Sequence, residues 1–275
     1  MPGRGQKDFR SGTNSFIDKR REPRSMRLPP GTAVLACKVF APELKMLNIP
    51  SEKISFLEQG LHNHPLKLRK ELGLALNSLE KDPSTEEVVL LYGYCGSGLE
   101  GLSSKRVRLR APLVHDCIPL LLDSSLPPDK LSTSGLFFLS AGWIDHGKTP
   151  LTEYYQTCKR YDPETALWIA KETLKSYTKV ALITEPGLIQ DHHRNYARRM
   201  AKLFGLEYQE VKGGLGWLTS LLTRQKKRGS LSLEPGCPVS LEHYAQASSS
   251  GTASRFDQAV QLQIESDCPE TAFDQ

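Results

Sequence analysis

Residues 87–98 read Glu87-Val88-Val89-Leu90-Leu91-Tyr92-Gly93-Tyr94-Cys95-Gly96-Ser97-Gly98. A β-rich apolar run is followed at once by a glycine-rich loop that carries a thiol. In open α/β sheets ligands bind beyond the carboxyl ends of the strands, so a reactive side chain placed directly after a strand is where a site is expected. Outward from this segment the same arrangement recurs. Apolar runs at Thr32–Cys37, 53–57, Leu136–Leu139, Lys179–Thr184 and 208–211 read as strands. Stretches at 66–79, 119–122, 163–177 and 192–204 read as helices. In the third of these helices Leu167, Ala170, Leu174 and Tyr177 share one face, with Asp162 as N-cap and Pro163 in the first turn. Strands alternating with helices predict an α/β fold with a mainly parallel sheet and flanking helices. Two stacked α/β halves are the alternative arrangement, although no internal repeat is evident.

The ends differ from the middle. Residues 1–28 hold eight of the 36 Lys and Arg but only three of the 31 Asp and Glu, so the remainder carries 28 of each and is neutral. A neutral body lacks the electrostatic footprint of a dedicated nucleic-acid binder. Residues 1–30 are expected to be a disordered basic leader, and Met26 is an alternative start. Residues 31–223 form the expected α/β domain, and residues 224–275 a disordered or weakly helical tail, with 256–266 as a short helix. No apolar stretch is long enough for a bilayer and no secretory signal is evident. A cytoplasmic location with reduced cysteines is therefore expected, and metal or catalytic use outranks disulfides.

Five successive strand–helix junctions each carry a Cys, a His or both. They are Cys37, the 60–65 segment with His62 and His64, the 92–98 loop with Cys95, His115-Asp116-Cys117, and the 142–147 segment with Trp143, Asp145 and His146. Parallel strands bring such junctions to one edge, so residues distant in sequence can share a centre. The expected site is a metal held by Cys37, Cys95 and Cys117 with His62 as the fourth ligand. Thiolate and imidazole suit zinc, and three thiolates on an iron–sulfur cluster with one open iron are the alternative. Asp116 and Asp145 are available to orient an imidazole, and Asp116 also reads as a helix cap. Gly93, Gly96 and Gly98 make a flexible loop able to present N–H groups to an anion. Tight turns around Cys95 are the plainer account of these glycines. His146, His192 and His193 are weaker candidates. Cys158 is expected to be inert within a helix, and Cys237 and Cys268 fall in the expected tail. The glycines of 213–216 shape a turn before the apolar 218–222 stretch.

Cys37, the 60–65 segment, Tyr92-Gly93-Tyr94-Cys95-Gly96, His115-Asp116-Cys117, Glu153-Tyr154-Tyr155 and the 201–206 stretch resemble a prokaryotic family catalogued as a domain of unknown function. The resemblance covers about residues 32–223. That family is common in anaerobes and often encoded near corrinoid methyltransferase systems. The resemblance therefore implies one-carbon metabolism, a thiol or methyl substrate and a small-molecule or corrinoid-protein partner, without assigned catalytic residues. His115-Asp116-Cys117 also has the His-x-Cys spacing of zinc-dependent thiol methyltransferases, which are (β/α) barrels. A non-enzymatic metal or cofactor carrier is the competing function.

Overall fold

The computed structural model describes residues 26–122, 135–224 and 229–249. The chain runs through β1 (Thr32–Cys37), α1 (Ala41–Met46), β2 (Ile54–Leu57), α2 (Pro65–Leu79), β3 (Glu87–Leu91), β4 (Arg108–Pro112), β5 (Leu136–Leu139), α3 (Ala141–His146), α4 (Pro150–Thr157), α5 (Pro163–Thr173), β6 (Lys179–Thr184), α6 (Asp191–Phe204), β7 (Glu207–Lys212), α7 (Gly216–Leu222), β8 (Ser230–Leu233) and α8 (Leu241–Ser249). It is an α/β protein with two sheets. The first has the order β2-β1-β3-β4-β8, the second β5-β6-β7. β1 to β4 are parallel, β8 is antiparallel to β4, and the second sheet is parallel throughout.

Residue choice explains the layering. Every residue of β1 and of β3 is buried, as a central parallel strand covered on both faces requires. In β6 the faces divide with period two. Ala181 and Ile183 join the core of the first sheet, whereas Val180 and Leu182 belong to a second core with Leu151, Ala197, Met200 and Phe204. The first core therefore joins the two sheets, and the second lies on the other face of the second sheet. α2 buries Leu68, Leu72 and Leu76 at i, i+4, i+8 spacing. α6 ends at Gly205 in the left-handed conformation, φ 75°, which closes a helix with little strain in a residue lacking Cβ. In α5 Asp162 accepts from the N–H groups of Glu164 and Thr165, as a cap should.

Several boundaries differ from the sequence expectation. β4 is absent from the predicted strands because Arg108 and Arg110 alternate with Leu109 and Ala111, which leaves no continuous apolar run. The expected helix at 119–122 is a 3-10 turn at Ile118–Leu120. Residues 26–30 are not a free leader. Met26 N–H donates to the Leu47 carbonyl at 3.2 Å, and Met26 and Leu28 pack on the core. Nor is the segment after 224 wholly a tail. Leu231 and Leu233 pair with Ala111 and Leu109, which covers the backbone edge that β4 would otherwise expose. Tyr244 of α8 is buried against Tyr94, with ring centres 4.6 Å apart. The expected helix at 256–266 and most of the expected leader lie outside the described residues.

One carboxyl is buried between the halves. Glu43 of α1 is 4% exposed, and its Oε2 has no hydrogen-bond partner. Burial, with a smaller push from the Glu185 charge and against a pull from its own main-chain N–H, raises its pKa from 4.5 to about 8. An unfolded Glu is ionised across that interval while the folded one holds its proton, so the native state binds more protons. Stability must then fall as pH rises from about 4.5 to 8 and level off above. Glu43→Gln is expected to abolish this slope and to be the more stable protein by a few kcal/mol at pH 8. Urea midpoints of both proteins at several pH values test it, and parallel pH profiles would contradict it.

Candidate functional site

Strand order decides where the site forms. β1 lies between β2 and β3, so the chain's direction of travel across the sheet reverses there, and at such a switch point the following loops diverge and leave a crevice. A cleft of about 260 Å³ opens at this place. It is lined by Cys37 from the end of β1, by Gln59 and His62 from the 3-10 turn after β2, and by Tyr92, Cys95 and Gly96 after β3. His115, Asp116 and Cys117 follow β4, and Trp143 comes from α3 of the second half. Trp143 reaches the cleft because position 142 is glycine. A Cβ there would stand 1.7 Å from the Val39 carbonyl oxygen, so only glycine lets α3 seat against the turn after β1.

The hydrogen bonds between β3 and β4 continue past the strands. Tyr94 N–H donates to the Val114 carbonyl and Cys95 N–H to that of His115, both at 2.8 Å. This extension brings the Cys95 and Cys117 thiols close enough for Cys95 to raise the Cys117 pKa. Cys95 adopts φ 48°, a left-handed conformation that costs a non-glycine residue energy. Gly93 passes so close to Asp116 that a Cβ would lie 2.4 Å from its backbone. Gly98 abuts the Leu68 side chain, and Gly96 is left-handed. Packing and turn geometry thus account for all three glycines proposed as an anion cradle.

Main-chain N–H groups act on two of the sulfurs. Those of Val39 and Lys38 pull the Cys37 thiol pKa down, and that of Gly93 does the same for Cys117, although Cys37 makes no capping hydrogen bond. Burial nevertheless pushes the Cys37 thiol up, and nearby Cys117 and Glu58 add to it. The Cys117 thiol is raised by its hydrogen bond with Cys95, then by burial and the charges of Cys95 and Asp116. As bare thiols these groups are poor nucleophiles. A cation would reverse the balance, and the N–H donors would then stabilise the thiolates formed.

His62 is held in one tautomer by its surroundings. Its Nδ1 lies 2.7 Å from the Gln59 carbonyl, which can only accept, so Nδ1 carries the proton and Nε2 keeps its lone pair. The Gln59 side chain is anchored through its own oxygen, which accepts from Lys148 N–H at 2.8 Å. Burial lowers the His62 pKa, against the Gln59 carbonyl and Glu153 and with help from His64. Asp116 Oδ1 accepts from Ile118 N–H at 2.7 Å, a local turn bond across Cys117.

The four expected ligands therefore share one cleft, but they are not closed around a point. Among the described residues the one trio of ligand atoms lying within 4.8 Å of each other is Asp145, His192 and His193. Its hydrogen bonds argue against a metal there. His193 Nδ1 accepts from Gln190 N–H at 3.0 Å, so its proton sits on Nε2, 3.2 Å from both Asp145 oxygens. Both ring nitrogens are in use, and the pair ties α3 to the start of α6. Asp145 thus orients an imidazole, though not one in the cleft. His146, Cys158 and Cys237 do not line the cleft, and Cys268 lies outside the described residues.

Tyr92, Trp143 and Gln59 also line the cleft, beyond the ligands expected from the sequence. The position of Tyr92 at the very end of a strand was a usable signal. Gln59 left none, because its role depends on where residue 148 returns. His115, passed over in favour of His62, is 8% exposed and lines the same wall, with its ring 6.2 Å from that of Tyr244.

A family model described as "Protein of unknown function (DUF1638)" matches residues 56–222. The match takes in His62, Cys95 and Cys117 but starts after Cys37. No curated protein and no solved structure matches the chain. Among the described residues no helix is long and apolar enough to cross a membrane.

Proposed function

The chain belongs to the DUF1638 family, and we propose that its cleft binds a thiophilic metal ion, zinc first, through Cys37, Cys95 and Cys117 with His62 as fourth ligand. The metal then acts on a small thiol or methyl substrate in corrinoid-linked one-carbon metabolism. The observation that carries the metal reading is the delivery of three cysteines, from three different strand ends, into one cleft that also holds His62. Cysteines that serve only as small hydrophobes have no reason to converge on a cleft beside an imidazole, whereas metal ligands do. Supporting it, the Gln59 carbonyl orients His62 as second partners orient ligating imidazoles. Closing the set needs side-chain rotation within the cleft, and its volume leaves space beside the ion for a small ligand. An ion with an open position polarises or deprotonates what binds there.

Anaerobic purification followed by elemental analysis tests this. The expected product is colourless and holds about one zinc per chain. A brown protein containing iron and sulfide would move the reading to an iron–sulfur cluster on the same cysteines. Metal lost to mild chelators with the fold intact would favour the carrier over the enzyme. Metal-free protein whose three thiols are all freely alkylated would remove the site altogether.

A further inference from the structure

Tyr92 is 2% exposed, and its hydroxyl has no hydrogen-bond partner, although it lines the cleft between the cysteines. A buried hydroxyl without a partner is costly and rare in native proteins. The ladder places it. Leu91 lies beside Ala36 in the pairing of β3 with β1, so Tyr92 follows alongside Cys37. Cys37 in turn pairs with Leu57 across β1 and β2. The phenol runs over the end of β1 toward β2. There the Leu57 amide faces its oxygen but outside hydrogen-bonding geometry. The O–H proton is what remains unused, and Cys37, Cys95 and Cys117 line the same cleft.

We propose that the Tyr92 phenol is a positioning donor for the metal site, giving its hydrogen bond to the Cys37 thiolate once a cation is bound. The inference rests on the metal reading above. Three thiolates, a neutral imidazole and a divalent ion carry one net negative charge in a cleft with mostly apolar walls, and that charge needs donors. A neutral thiol accepts hydrogen bonds weakly and a thiolate strongly, which explains why the hydroxyl is unpaired beside bare thiols. Burial, then Cys37, Cys117 and Cys95 in that order, hold the phenol well above its ordinary pKa, so it remains a donor.

Cobalt(II) titration of the wild-type protein and Tyr92→Phe tests the proposal. Phe fills the same space without the hydroxyl. The expected variant melts no lower than wild type when metal-free, because an unpartnered group has been removed. It binds cobalt about 10–100-fold more weakly. Its sulfur-to-cobalt charge-transfer band moves to lower energy, because a thiolate without its hydrogen bond gives up electrons more easily. Equal affinity with an unchanged band overturns the role of Tyr92 while leaving the metal site standing. A variant that fails to fold, or that melts lower with an unchanged band, also overturns it, since Tyr92 would then be a packing residue. Wild-type protein that takes up no cobalt overturns both this inference and the metal reading.

Discussion

Cys117→Ser is expected to fold and to lose its metal. Serine is close to cysteine in size and shape, so the loop after β4 should keep its path. Its hydroxyl, however, does not ionise near neutral pH and is a harder ligand than a thiolate. Removal of a residue that merely supports a ligand costs about 10–100-fold in affinity, so loss of a ligand itself should exceed the upper end of that range. Zinc per chain should fall to background, with a urea midpoint close to that of metal-free wild type. If Cys117 were only packed, Cys117→Ala would be mild, Cys117→Ser would cost about 1–3 kcal/mol, and metal content would stay the same in both. Full occupancy in Cys117→Ser removes the centre of the site, because Cys37 and Cys95 alone do not define one.

The second large effect lies at the opposite ends of the strands and concerns stability alone. The Glu87 side chain is fully buried at the start of β3. One oxygen accepts from Arg110 Nη2 at 3.0 Å and the other from Arg224 Nε at 2.7 Å. Arg110 is itself mostly buried, and Arg224 sits in the left-handed conformation, φ 57°, where the chain turns after α7. Glu87→Ala leaves two guanidinium groups facing each other with no anion between them. Breaking a buried ion pair from one side costs about 3–5 kcal/mol, and Glu87→Ala should lie within that range by urea unfolding. Metal content per folded molecule should not change, since the cleft is at the other edge of the sheet. A loss below about 1 kcal/mol, the level of an exposed pair, would show that the three charges are solvated. Lys38–Glu58, with both partners exposed at the rim of the cleft, is such an exposed pair, and its loss should be barely measurable.

Much of this protein could be read from local signals. Residues 87–92 announce a strand because apolar β-formers are packed together without a break, and α5 announces its start through Asp162 and Pro163. The tendency of cysteine and histidine to follow strands was visible without any contact information, and it led to the cleft because parallel strands deliver their following loops to a common edge. Signals failed where an element is stabilised by something distant. β4 alternates Arg with apolar residues and is a strand because β3 and β8 pair with it on either side. β8 and Tyr244 looked like tail because their apolar residues are few, and each is held by partners more than a hundred positions away.

Within the site the division is sharper. Residue identity alone determined the chemistry on offer, since thiols and imidazoles are soft ligands wherever they stand. It could not decide the order β2-β1-β3, which makes β1 the switch point, or the seating of α3 that turns Trp143 into the cleft. Nor could it show that Asp145 serves His193 instead of a cleft histidine, or that the Tyr92 hydroxyl ends in the cleft without a partner. These depend on which backbone segments lie within a few ångströms of each other. Such closeness is a property of strand pairing and helix packing summed over the whole chain, and no window of sequence contains it.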